Sequence, residues 1–414
     1  MYALIAMMSA LGVLVLALHL KVRLGRAMVL SAVALAVLLG VTPGTLWRTS
    51  VSEWHEKSLS QTTGYLFITL TALVCLVNVL GSAMQETGVA GRLAPALEGM
   101  FRSRRAALAI VPMMMGLLPT PGGIMLSAPM VRELADRIGV RRDRSAAINY
   151  MFRHQWETVW PLFPAVPLVQ SIFGISAFAL ISHNVAIAVA GTIAAVIFLL
   201  LSGIPRRPEG PRSPGRFAAH VRGVAQAFWP IAVVAVLYVG LDVPPAGGLL
   251  LAVAAFLALH KVPFGRWRAI FKSGFEGDFV LLIFGALLFK LTLEAGRAVP
   301  AVVEFLTAVN APAPALIFGL PMLVAFLTGV TMPTVAITFP FLLPYIGTGS
   351  NANVGLETFA FSGLICGLMA TPVHLCLALS ASYFEAGLWA IIRQILWPIF
   401  FVATAGVLMA ILST

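Results

Sequence analysis

Long apolar runs separated by short basic stretches set the pattern of this chain. Residues 1–20, 66–84, 177–201 and 395–412 are runs of this kind. They approach or reach the roughly 20 apolar residues with which an α-helix crosses a bilayer. Two further apolar segments are broken at their middles by proline. One reads Leu117-Leu118-Pro119-Thr120-Pro121-Gly122-Gly123, the other Leu327-Thr328-Gly329-Val330-Thr331-Met332-Pro333-Thr334. A spanning helix gains nothing from such a break, because each backbone group freed in hydrocarbon costs several kcal/mol. Breaks are tolerated where backbone faces protein or a water-filled cavity, and paired breaks in corresponding halves point to a binding site.

Composition agrees with this pattern. Of 414 residues 60% are hydrophobic and only 10% charged, whereas soluble domains carry about 25% charge. The class is therefore an all-α polytopic membrane protein in contact with the lipid bilayer. The net charge of +11 is not a nucleic-acid signal, since nearly all Lys and Arg fall in short connections, where they encode topology. The three cysteines (Cys75, Cys366, Cys376) lie in apolar segments without metal spacing and read as small buried hydrophobes. The first run has no basic residue before it and Lys21, Arg23 and Arg26 after it, the reverse of a cleavable signal peptide. It is expected to be a true span with the N-terminus outside, and the C-terminus is expected outside too.

The basic stretches 21–26, 92–105, 132–144, 206–222 and 261–272 are assigned to the cytoplasm, and the mixed-sign stretch 47–60 to the outside. Basic stretches flank the first broken segment on both sides. Residues 106–131 are therefore expected to enter and leave from the cytoplasm, as a re-entrant hairpin tipped by Pro119–Gly123. Residues 315–346 are expected to form the opposite hairpin, entering from outside.

Further matches make the halves an inverted-topology repeat. Pro121 to Pro161 is 40 residues and Pro333 to Pro372 is 39, and each second proline breaks the segment after its hairpin. Amphipathic stretches at 89–101 and 298–310 precede the two hairpins and are expected to lie in the interface. The expected architecture is about ten transmembrane helices plus two re-entrant helical hairpins. The first repeat covers 1–203, a Pro-, Gly- and Arg-rich cytoplasmic linker 204–222, and the second repeat 223–414.

These residues resemble the ion-transporter superfamily. Pro119-Thr-Pro-Gly-Gly, Arg153-His154-Gln155-Trp156-Glu157 and Thr371-Pro372-Val373-His374-Leu375-Cys376 are similar to its predicted-permease group, domain-of-unknown-function family 401. The resemblance implies a two-hairpin scaffold, usually a homodimer, whose transport unit slides against a fixed unit. Better-studied symporters of the superfamily carry Ser-Asn-Thr hairpin tips, from which this chain departs.

The candidate substrate-binding residues follow from the breaks. Thr120, Pro121, Gly122 and Gly123 offer backbone N–H groups and a hydroxyl at one tip, with Ser127 just beyond. Thr328, Gly329, Thr331 and Thr334 offer the matching set at the other. Half-helix N-termini favour an anion, and unwound carbonyls a cation. Arg153 is a candidate anion ligand, and His154, Glu157 and Asn149 are candidates for ion coupling. A purely structural Arg–Glu pair near the cytoplasmic end is the competing reading. Thr371 and His374 occupy the mirrored break, where His374 stands alone in an apolar run. Lys290 and Glu294 read as a structural salt bridge, and Asn78 as a helix–helix hydrogen bond.

No P-loop, zinc motif or nucleophile–base set is legible, so no enzyme is expected. The expected function is secondary active transport of a small anion, an organic carboxylate or inorganic oxyanion, coupled to sodium or protons. A cation/proton antiporter on the same scaffold is the alternative. No cofactor is expected beyond a bound sodium ion, and the expected location is the prokaryotic cytoplasmic (inner) membrane.

Overall fold

The computed structural model describes residues 1–89, 96–97, 100, 103–117, 124–202, 204 and 214–413. Among them every regular element is helical. The first half runs α1 (Tyr2–His19), α2 (Leu24–Leu38), α3 (Pro43–Glu56) and α4 (Thr63–Glu86), then α5 (Arg104–Gly116), α6 (Ile124–Ile138), α7 (Arg142–Arg153), α8 (Ala165–Phe173) and α9 (Ala177–Ala195). A π-helical turn extends α9 to Leu201. The second half runs α10 (Pro214–Leu241), α11 (Pro245–Leu259), α12 (Phe264–Ser273), α13 (Gly277–Ala295) and α14 (Ala298–Ala308). After a π-helical turn come α15 (Leu320–Thr328), α16 (Thr331–Thr338), α17 (Val354–Ala370), α18 (Leu375–Phe384) and α19 (Leu388–Ser413).

Among the described residues, six helices are long and apolar enough to cross a membrane, or up to eight if each bent pair counts as one span. The expectation of about ten spans exceeds this figure. One reason is α11, whose 15 residues reach only about 22 Å at 1.5 Å per residue. Two stretches read as connections are in fact helical. Residues 43–56 form α3 because Thr42 accepts the Thr45 N–H at 3.2 Å and Pro43 occupies the first turn. Residues 264–273 form α12 within the basic stretch. Likewise α10 begins at Pro214, inside the expected linker, and most of stretch 89–101 lies outside the described residues.

Two groups of helices pack around the broken segments. In one, α2 lies along α13 and α4 along α11 and α12. Small residues let these backbones close: a Cβ on Gly25 would sit 2.1 Å from the Asp278 carbonyl oxygen, and one on Gly285 2.7 Å from the Val29 nitrogen. In the other group, α17 packs on α19 and α15, α9 on α19, and α7 on α5, α6 and α18. A principal meeting of the groups is α13 against α16.

In the first group Lys290 pairs with Glu53 at 3.4 Å and with Glu294 at 3.7 Å, so the expected salt bridge is there but shared. Lys57 joins Glu53 at 3.0 Å and also Glu294. Asn78 donates to the Gly274 carbonyl at 3.4 Å.

Candidate functional site

Hairpin arms and broken helices satisfy one another's backbones. The arm α5 ends at Gly116, so its last carbonyls have no helical partner. Residues at and after the end of α7 supply the donors. Arg153 Nη1 donates to the Met115 carbonyl at 2.8 Å, Trp156 Nε1 to Met113 at 2.7 Å, and Trp160 Nε1 to Leu117 at 3.0 Å. The second half repeats this arrangement. Thr371 Oγ1 donates to the Phe326 carbonyl at 2.5 Å, and His374 Nδ1 lies 2.6 Å from the Gly329 carbonyl. Each proline break thus exposes side chains that cap the C-terminus of a hairpin arm.

The hairpin over 315–346 turns at Gly329, whose φ of 67° is left-handed. A Cβ there would meet the His374 nitrogen and the Val373 carbonyl carbon at 3.1 Å each. Thr328 and Thr334 are buried with their hydroxyls 3.2 Å apart, and Thr331 is half-buried in the cavity wall. Of the first hairpin, both arms are present as α5 and α6. The tip residues Thr120, Pro121, Gly122 and Gly123 lie outside the described residues. Ser127 and Asn149 are fully buried and bonded at 2.6 Å, which ties α6 to α7.

The two breaks meet at a pair of histidines. His154 Nε2 and His374 Nε2 are 3.0 Å apart. His374, alone in its apolar run, is therefore not alone in the fold. Each ring's other nitrogen is 2.6 Å from a backbone carbonyl, of Tyr150 for His154 and of Gly329 for His374. A carbonyl only accepts, so both Nδ1 atoms carry the hydrogen, and each ring when neutral presents a lone pair at Nε2. A proton held between them turns that contact into a hydrogen bond and gives the pair one positive charge. Glu157 Oε1 stands 3.7 Å from His154 Nε2. The Tyr150 ring packs on both imidazoles, with centroids 4.7 Å and 5.7 Å away.

A cavity of about 810 Å³ opens onto this junction. Its wall includes Arg153, His154, Glu157, Thr328, Gly329, Thr331, His374 and Cys376. Two helices begin there, α16 after Val330 and α18 after His374, and neither has a side-chain cap. Their free N–H groups and dipoles favour negative charge. At its other end the cavity reaches His19 and Leu24, beside the basic turn between α1 and α2.

Donor atoms of His154, His374 and Cys376 all lie within 4.8 Å of one another, the residue types of a transition-metal site. Arg153 and the two helix N-termini on the same cavity oppose a dication there. Cys376, read from sequence as a buried hydrophobe, is half-buried and lines the cavity instead. Tyr150 and Trp160 belong to no motif named above, and Trp156 only to the stretch from Arg153 to Glu157. Their signal is faint: aromatic residues with a polar handle flanking a proline break.

Fold and site together define a multi-pass, all-helical membrane protein with a polar junction built from broken helices. The chain belongs to the family described as "Protein of unknown function (DUF401)", whose model matches residues 3–413. No curated protein matches the chain. Among solved structures it is similar to the YdaH transporter of Alcanivorax borkumensis, described as having an unusual topology. That match has 15% identity and a TM-score of 0.56, covering 84% of this chain and 86% of the other.

Proposed function

We propose that this protein is a secondary active transporter that moves a small anion, a carboxylate or an inorganic oxyanion, by alternating access. The observation that carries the reading is one cavity at the junction of both broken helices. Arg153, the paired imidazoles and two uncapped helix N-termini line it. Likeness of fold to a solved transporter supports the class. Arg153 and the two helix N-termini, set against the single carboxylate Glu157, support an anion over the cation/proton antiporter alternative.

The two halves are read as an inverted repeat, since the helix order from α1 to α4 recurs from α10 to α13 with matching turns. Under the charge rule for connections, the turn carrying Lys21, Arg23 and Arg26 is cytoplasmic. The cavity then opens inward. Transport in this reading shifts the hairpins and broken helices against the group built on α2, α4, α11 and α13, in an elevator-like movement driven by a sodium or proton gradient. A homodimer supplies the fixed unit.

The test is uptake into proteoliposomes containing the purified full chain, across a panel of carboxylates and oxyanions. Saturable accumulation of at least one anion under a sodium or proton gradient is expected. No accumulation under either gradient across the panel contradicts the reading.

A further inference from the structure

Away from the cavity, several buried oxygens in one place have no hydrogen-bond partner. Glu357 on α17 is fully buried, and neither of its carboxylate oxygens has a hydrogen-bond partner within 3.5 Å. Asn184, fully buried on α9, is its polar neighbour and turns its amide toward the carboxyl from beyond that distance. The Asn184 amide nitrogen donates to the Thr158 backbone carbonyl at 3.3 Å, which fixes Asn184 against the break that follows α7. Asn184 Oδ1 and the buried hydroxyl Thr158 Oγ1 are likewise without partners. The helices that carry Asn184 and Glu357 pack directly on one another.

A buried carboxylate without donors is costly, and native interiors satisfy such groups almost without exception. Here the Asn184 amide is engaged by the Thr158 carbonyl, and the oxygens Asn184 Oδ1 and Thr158 Oγ1 stand unpartnered in the same neighbourhood. An arrangement of this kind suits a cation. All the atoms are oxygens, which selects a hard ion over zinc or copper. A single carboxylate balances one positive charge, which selects a monovalent ion over calcium or magnesium. We propose that Glu357, Asn184 and Thr158 form a sodium-binding site.

The proposed site adjoins the cavity along the chain. Glu157 precedes Thr158 in the chain and lines the cavity, and its Oε2 is also buried without a partner. A cation held by Thr158 sits one residue along the chain from the cavity wall at Glu157. Bound there, it ties the break of the first half to α17 of the second. A role for this ion in coupling rests on the carrier reading above; its binding rests on these residues alone.

The experiment follows thermal unfolding of the purified full chain in detergent by tryptophan fluorescence. Sodium chloride is titrated against choline chloride and against potassium chloride at constant ionic strength. A saturable, sodium-specific rise in melting temperature is expected, because an ion that binds only the folded state stabilises it. Glu357→Gln should abolish the rise. Thr158→Val, which keeps shape and removes the hydroxyl, should raise the half-saturating sodium concentration about tenfold. No sodium-specific rise in the wild type, or an equal rise in Glu357→Gln, overturns the proposal. If Glu357→Gln does not fold, an unchanged half-saturation in Thr158→Val overturns it instead. A sodium shift in protein that shows no uptake would remove the carrier reading and leave the site standing.

Discussion

His154 and His374 meet Nε2 to Nε2 at 3.0 Å across 220 positions of sequence. Each is held by a backbone carbonyl at its far nitrogen, so neither ring is free to turn away. This contact joins the two broken helices and forms one wall of the cavity. Replacing either histidine with alanine frees a buried carbonyl as well as breaking the pair. Each single variant should lower uptake at least tenfold while membrane insertion and yield are retained. The double variant should be little worse than either alone, because the two rings act as a unit. Uptake measured on the four proteins of that cycle checks this; additive losses would separate the two rings.

Capping of the hairpin arms is a stability feature. Trp156→Phe and Trp160→Phe keep the ring but remove the donors to Met113 and Leu117. Thr371→Val does the same to the Phe326 carbonyl. Each should cost about 1–3 kcal/mol, the usual penalty for an orphaned buried polar group. Thermal melts in detergent should rank all three below the wild type.

Close helix crossings make a sharper prediction. A Cβ on Gly367 would lie 2.0 Å from the Met322 carbonyl oxygen and 2.8 Å from its carbon. Because the obstacle is backbone of α15, Gly367→Ala must push the hairpin arm off α17. It should cost more than about 2 kcal/mol or prevent folding. Gly12→Ala and Gly240→Ala meet nothing within 4 Å and should be tolerated. The yield of monodisperse protein after size-exclusion chromatography reads all three.

Stability should fall in acid through Glu53. Burial pushes its carboxyl up, but Lys290, the Thr63 amide and Lys57 together outweigh burial and hold it below the ordinary carboxylate value. A carboxyl depressed in the folded state adds stability above its unfolded pKa and loses it as pH falls through the folded one. The melting temperature should therefore drop below about pH 4.5 in the wild type. Glu53→Gln should be less stable at neutral pH and show a smaller part of that drop.

The broken segments were legible because proline and glycine act locally: Gly329 forms the expected tip and Pro372 follows the end of α17. Arg153, His154, Glu157 and His374 all reach one cavity, as intramembrane ionisable residues should. What could not be read were the partners. His374 looks solitary because its partner lies 220 residues away. Glu357 sits near the start of α17 with no charged residue close to it in sequence, yet α9 and its neighbours bury it completely. Glu53 was hidden in the same way, inside a stretch whose mixed charges suggested solvent. Burial of a charge depends on which helices pack over it, and the local pattern does not carry that.

The most direct test of the central claim uses Cys376, which lines the cavity. In a Cys75→Ser, Cys366→Ser background it is the single thiol left. Its labelling by a membrane-permeant maleimide is followed in proteoliposomes across a panel of small carboxylates and inorganic oxyanions. At least one anion that the protein takes up should slow labelling in a saturable way, at concentrations that match its uptake. Labelling unaffected by every transported anion would place the substrate elsewhere and contradict the account.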